Sequence, residues 1–91
     1  MKIKMAQRNL IFTFESWQDY TYWVGQDKKT LRKINKLIAD ILRNPFEGIG
    51  KPEPLKENYA GLWSRRIDEK NRLIYAVSDS EISIVGCRFH Y

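Results

Sequence analysis

Cysteine and histidine are nearly absent from this 91-residue chain, which has one of each, Cys87 and His90. A lone cysteine closes no internal disulfide, and one cysteine with one histidine cannot build a protein-only structural zinc site. A chain this small without a disulfide framework points to a reducing compartment. No stretch is long and apolar enough to span a bilayer. Met1 to Arg8 carries charges with no apolar run behind them, so it does not read as a signal peptide. The expected location is the cytoplasm, away from any membrane. Acidic residues are also scarce, 11 against 16 Lys and Arg, giving a net charge of +5 and a pI near 9.5. That balance favours polyanionic partners: RNA, DNA or an acidic protein. It is uneven: residues 1–45 hold nine basic against four acidic residues, and residues 46–91 hold seven of each.

At this length the chain is one domain, spanning 1–91, with residues 1–9 read as a loose N-terminal extension. Leu10 to Phe14 is a short β-rich run. Ser16 then stands at an N-cap position, and Trp17, Tyr20, Trp23 and Val24 recur at helical spacing, so a first helix is expected from Trp17 to about Gly25. Asp27 caps a second helix. In it Leu31, Ile34, Leu37, Ile38, Ile41 and Leu42 form one apolar stripe, Lys28, Lys29, Arg32, Lys33 and Lys36 fall mostly opposite, and Asn44-Pro45 ends it. The basic face reads either as plain solvated surface or as an electrostatic contact for a polyanion such as RNA.

Residues 45–56 hold all three prolines and two of the five glycines, which predicts a shaped loop without regular structure. Three strand-like runs follow, Leu62 to Asp68, Arg72 to Ser78 and Glu81 to Phe89, joined by short turns as in an antiparallel meander. The expected class is therefore α+β, with two N-terminal helices packed on one face of an antiparallel sheet. Arg65, Arg66, Arg72 and Arg88 all fall in these runs. Arginines are hard to bury, so an exposed polar concavity is expected on the other face.

Four ordered motifs carry a resemblance to a known family. Phe46-Glu47-Gly48-x-Gly50-Lys51-Pro52-Glu53-Pro54-Leu55-Lys56 is the first, and Gly61-x-Trp63-Ser64-Arg65-Arg66-Ile67 the second. Arg72-Leu73-x-Tyr75-Ala76-Val77 and Cys87-Arg88-Phe89-His90-Tyr91 complete the set. Together they resemble the YoeB/Txe toxins of the RelE superfamily over residues 10–91. The resemblance implies a RelE-like, microbial-ribonuclease-type α+β domain. It implies a toxin that enters the ribosomal A site and cleaves mRNA there without metal or cofactor. It also implies a YefM-like antitoxin as partner, and a homodimer. Lys70, before Arg72, departs from the family pattern, since a known member is acidic there.

RNA is cut without metal when the 2′-OH attacks its own phosphate. This needs a base for the 2′ proton, an acid for the leaving 5′ oxygen, and cations for the transition state. The resemblance assigns Glu53 as base, His90 as acid and Arg72 as transition-state stabiliser. The residues suit those roles. Glu53 is clamped between Pro52 and Pro54, whose rings restrict the backbone. His90 is the one side chain with an ordinary pKa near neutrality. Arg72 opens a strand and can present a planar fork of donors to a phosphate. Lys56, Arg66 and Tyr91 are expected to contact RNA; neighbours in a strand face opposite ways, so only one of Arg65 and Arg66 should do so, and the resemblance implies Arg66. The competing readings are a solvated loop glutamate, a surface arginine paired with Asp68 or Glu69, and an idle tail histidine. If those hold, the alternative function is a non-catalytic toxin of the same fold that binds a target protein or RNA.

Overall fold

In the computed structural model, residues 7–89 are described. They form β1 (Asn9–Phe12), α1 (Phe14–Gln26), α2 (Lys28–Arg43), β2 (Glu53–Pro54), a single 3-10 turn (Glu57–Tyr59), β3 (Leu62–Arg66), β4 (Arg72–Val77) and β5 (Glu81–Gly86). The strands make one sheet in the order β1-β5-β4-β3-β2. Both helices lie on the same face of it, so the fold is α+β. No helix among the described residues is long and apolar enough to cross a membrane.

The second helix forms as its pattern dictates. The Asp27 carboxylate accepts the N–H groups of Lys29 and Thr30, satisfying donors that a helix start leaves without partners. Asn44 closes the other end ahead of Pro45. Ile34, Leu37, Ile38 and Ile41 are buried, each worth about 1.5–3 kcal/mol. They meet Leu73 and Tyr75 of β4 and Ile82 and Ile84 of β5 in one core.

The first helix begins earlier than its sequence suggests. Its N-cap is Thr13, whose hydroxyl accepts the Ser16 N–H, and the helix starts at Phe14. Ser16 is fully buried instead, and its hydroxyl donates to the Ile84 carbonyl of β5, a contact far away in sequence. Gly25 lies inside the last turn. Asp27 ends this helix by donating its N–H to Trp23 O, so one residue closes α1 and opens α2.

Two further features differ from expectation. The first strand pairs parallel to β5, with Leu10 opposite Ile82 and Phe12 opposite Ile84, so the sheet is mixed at that edge. The 45–56 segment also contributes a two-residue strand, Glu53 opposite Ser64 and Pro54 opposite Trp63. Pro54 is tolerated because β2 is an edge strand, where a missing N–H costs no ladder bond. The β3–β4–β5 meander is as expected. Within it, the β4–β5 register steps from Tyr75↔Ile84 to Ile74↔Gly86, which leaves Val85 as the extra residue of a bulge.

Arg65 is the main departure from the expected run of exposed arginines: it is fully buried. All five of its donors are satisfied. Nε donates to Tyr75 Oη, Nη1 to the Asp40 carboxylate and Ile49 O, and Nη2 to Asn44 O and Glu47 O. A guanidinium is tolerated inside because its planar fork meets five acceptors, one of them charged. It thus knits α2, β3, β4 and the 44–50 loop together. Gly48 sits against this knot at φ +136°, and a Cβ there would collide with the Asp40 carboxylate. Gly48→Ala is expected to lower stability by more than about 1 kcal/mol, seen as a reduced thermal midpoint; an unchanged midpoint would show that the loop is not held by this packing.

Bonds from Arg43, from Arg65 and from the Ile49 N–H hold the Asp40 carboxyl at about 2, below its ordinary 3.8. A carboxylate depressed on folding stabilises the folded state above its ordinary pKa, and that contribution disappears as pH falls through the folded value. Stability is therefore expected to fall between about pH 4 and pH 2, and Asp40→Asn to flatten that limb of a denaturation series. An identical acid limb in the variant would contradict it.

Candidate active site

Residues directly opposite one another in an antiparallel pair point to the same face. Pairing therefore fixes where the candidate site residues project. Glu53 is opposite Ser64, Ser64 is opposite Ile74, and Arg66 is opposite Arg72. Leu73 and Tyr75 belong to the helix-covered core. By alternation Glu53, Ser64, Arg66, Arg72 and Ile74 all lie on the other face, the one without helices. A carboxylate and two guanidinium groups are thus presented on one surface by three neighbouring strands. The expected choice of Arg66 over Arg65 agrees with this alternation. Glu53 and Arg66 are exposed and Arg72 is half-buried.

The edge of this face is shaped by the segment after β2. Leu55 is buried and donates its N–H to Leu62 O, which leaves Lys56 exposed beside it. Glu53, Lys56, Glu57 and Tyr59 line a cleft of about 340 Å³ along this edge. Glu57 is held at φ +57° at the start of the 3-10 turn.

Arg72 forms no ion pair with Asp68 or Glu69. Its Nη1 donates to the backbone carbonyls of Asp68, at 2.6 Å, and Asn71, at 3.1 Å. Among the described residues, ion pairs involve only Asp40, with Arg43 and Arg65. The Arg72 guanidinium is thus held through Nη1 by backbone carbonyls, with the Asp68 carboxylate near enough to feel its charge but not in direct contact, and its other donors can meet an anion.

His90 and Tyr91 lie outside the described residues. The segment leading to them is held from several sides. Cys87 donates its N–H to the Asp19 carboxylate of α1, and its carbonyl accepts from Trp23 Nε1 at 2.7 Å. The Arg88 guanidinium stands 3.5 Å over the Tyr22 ring, a cation–π contact, and 4.5 Å from the Phe89 ring. Arg88 thus supports the path toward the C-terminus, beyond the end of β5. Phe89 O accepts the N–H of Arg72 at 3.1 Å. The residue before His90 is in this way bonded to the residue that carries the site guanidinium. Cys87 itself is buried, and burial, with Asp19 nearby, pushes its thiol up to about 12. It remains a protonated packing residue and no nucleophile.

Two residues that sequence reading left without a site role shape the turn before Arg72. Asp68 accepts N–H bonds from Lys70 and Asn71 through one carboxylate oxygen. The Asn71 side chain is buried, 8% exposed, and reaches both Asp68 and Phe89. Burial works to raise the Asp68 carboxyl, but the bonds from Asn71 and Lys70 outweigh it and hold the group below its ordinary value. The Asp68-x-x-Asn71 spacing is a turn signal that could have identified the pair. The basic face of α2 is as expected, with Lys28, Lys29, Arg32 and Lys36 exposed and Lys33 half-buried.

Comparison with known proteins gives one consistent outcome. Residues 12–91 match the model of the YoeB-like toxins of bacterial type II toxin–antitoxin systems. The toxin YoeB of Escherichia coli strain K12 is 58% identical over 82 residues, covering 90% of this chain and 98% of that protein. Among solved structures, the YoeB dimer from Staphylococcus aureus superposes with a TM-score of 0.87 at 47% identity, covering 94% of this chain and 100% of that one. The YoeB chain of the YoeB–YefM complex from the same organism gives 0.85 at 46% identity, with the same coverage. The chain therefore belongs to the family of YoeB-like toxins of bacterial type II toxin–antitoxin systems.

Proposed function

We propose that this toxin is an endoribonuclease that cleaves mRNA in the ribosomal A site. The observation that carries this reading is the projection of Glu53, Arg66 and Arg72 on one sheet face, with Phe89 bonded to Arg72. The Glu53 carboxylate takes the proton of the 2′-OH. The 2′ oxygen attacks the adjacent phosphorus and the bond from phosphorus to the 5′ oxygen breaks. His90, as imidazolium, gives its proton to that oxygen. Arg72, aided by Arg66 and Lys56, stabilises the charge that develops on the non-bridging oxygens. Tyr91 stacks on a base or orients the phosphate. The products are a 2′,3′-cyclic phosphate and a 5′-OH. Neither a metal nor a cofactor takes part in these steps.

The basic face of α2, with Lys28, Lys29, Arg32 and Lys36, supplies an electrostatic contact to ribosomal RNA. A YefM-like antitoxin would bind and silence the protein, and two copies would pair. This follows the S. aureus relatives, one in complex with YefM and one a dimer. The site of action is the cytoplasm, where translating ribosomes are. Primer extension on a defined mRNA, with and without ribosomes, tests the reading. Cuts within the A-site codon that depend on ribosomes are expected. An mRNA left intact on ribosomes by folded toxin would overturn it.

A further inference from the structure

We propose that Asn71 is a positioning residue for the acid step: it fixes the chain at Phe89, and so the approach of His90 to the phosphate held by Arg72. This rests on the nuclease reading above. Asn71 Oδ1 accepts the Phe89 N–H at 2.6 Å, and its Nδ2 donates to both carboxylate oxygens of Asp68, at 3.1 and 3.2 Å. The amide has one orientation, because an ionised carboxylate can only accept and a backbone N–H can only donate. Asp68 therefore aims the oxygen of Asn71 at the tail. The Phe89 carbonyl is held in turn by the N–H of Arg72. Both backbone polar groups of Phe89 are thus tied to residues 71 and 72.

Phe89 needs these ties. Its φ is +66°, a left-handed conformation that a bulky side chain rarely adopts, and its ring is 61% exposed, so core packing does not impose it. Phe89 is covalently joined to His90, so whatever holds residue 89 limits how far the acid can stray. An acid displaced by an ångström transfers its proton poorly. A side chain that only closed a turn would need no bond to a residue 18 positions away in sequence.

A substrate whose leaving 5′ oxygen is replaced by sulfur separates positioning from general support, because a thiolate departs without an acid. On ordinary mRNA, N71A is expected to slow single-turnover cleavage on ribosomes by about 10- to about 100-fold, with half-saturation unchanged. On the sulfur linkage, N71A and H90Q should both return to within about threefold of wild type, while E53Q stays slow. The exchanged pair D68N/N71D keeps an acceptor for Phe89 and reverses the donor, so it should restore most of the rate. N71S, too short to reach the tail, replaces N71A should the latter fail to fold. An N71A protein equally slow on both linkages would overturn the role, as would one at wild-type rate beside a slow H90Q. An H90Q protein at wild-type rate would instead overturn the acid assignment itself, and the Asn71 role with it.

Discussion

Single-turnover cleavage of ribosome-bound mRNA is expected to fall by roughly 10²-fold or more when Glu53 is replaced by glutamine. Glutamine keeps the shape and loses the base. The fold should not notice, because β2 is an exposed edge strand held to β3 through its backbone, and Glu53 packs in no core. Unfolding free energy should stay within about 0.5 kcal/mol of wild type, as for surface substitutions generally. His90→Gln should show a loss of similar size on ordinary mRNA. A wild-type rate in either variant would remove that residue from the mechanism. The rate and stability measurements belong together, since a slow but intact variant isolates chemistry from folding.

The second large effect falls on the neighbouring arginines, and it separates them. Arg65→Ala is expected to destabilise the protein by about 3–5 kcal/mol, the scale of breaking a buried ion pair by removing one partner. It would strand the Asp40 carboxylate and three carbonyls that now accept from one guanidinium. Arg65→Lys should be only a partial remedy, because one ammonium cannot reach acceptors spread over Asp40, Asn44, Glu47, Ile49 and Tyr75. Arg66→Ala, one residue on, should leave stability within about 0.5 kcal/mol and lower cleavage. Chemical denaturation of the two variants decides the matter. Equal stability would mean that the buried guanidinium does not hold the 44–50 loop.

The contrast between Arg65 and Arg66 also shows what a sequence reveals. Their alternation in a strand is legible, but the pattern alone does not say which of the two faces outward; the choice of Arg66 comes from the family resemblance. The burial of Arg65 is not legible, because its acceptors come from α2, the 44–50 loop and β4, and no local pattern brings those segments together. The second helix was legible throughout, since its apolar period, its Asp27 cap and its Asn44-Pro45 stop are all local signals. The start of α1 was misplaced for the opposite reason: Ser16 has the chemistry of a cap, but a carbonyl of β5 claims its hydroxyl. The parallel pairing of β1 with β5 is another contact between the two ends of the chain that periodicity does not encode.

The candidate site was read mostly from motifs. Glu53, Arg66 and Arg72 were named from sequence, and their common face follows from strand register. Lys56 was named too, and it lines the cleft beside Glu53. The brace formed by Asp68 and Asn71 is not legible in the sequence, because its partner Phe89 lies 18 residues beyond Asn71 and meets it only across the β4–β5 pairing. Turn chemistry at 68–71 was visible; its link to the C-terminus was not.

The nature of the cleaved ends is the most direct measurement on the proposed chemistry. A defined mRNA cut on ribosomes, with the two fragments analysed by mass, should show a 2′,3′-cyclic phosphate on the upstream fragment and a 5′-OH on the downstream one. A 5′-phosphate on the downstream fragment would mean that water, and not the 2′-OH, attacks the linkage, and would contradict the roles given to Glu53, Arg72 and His90.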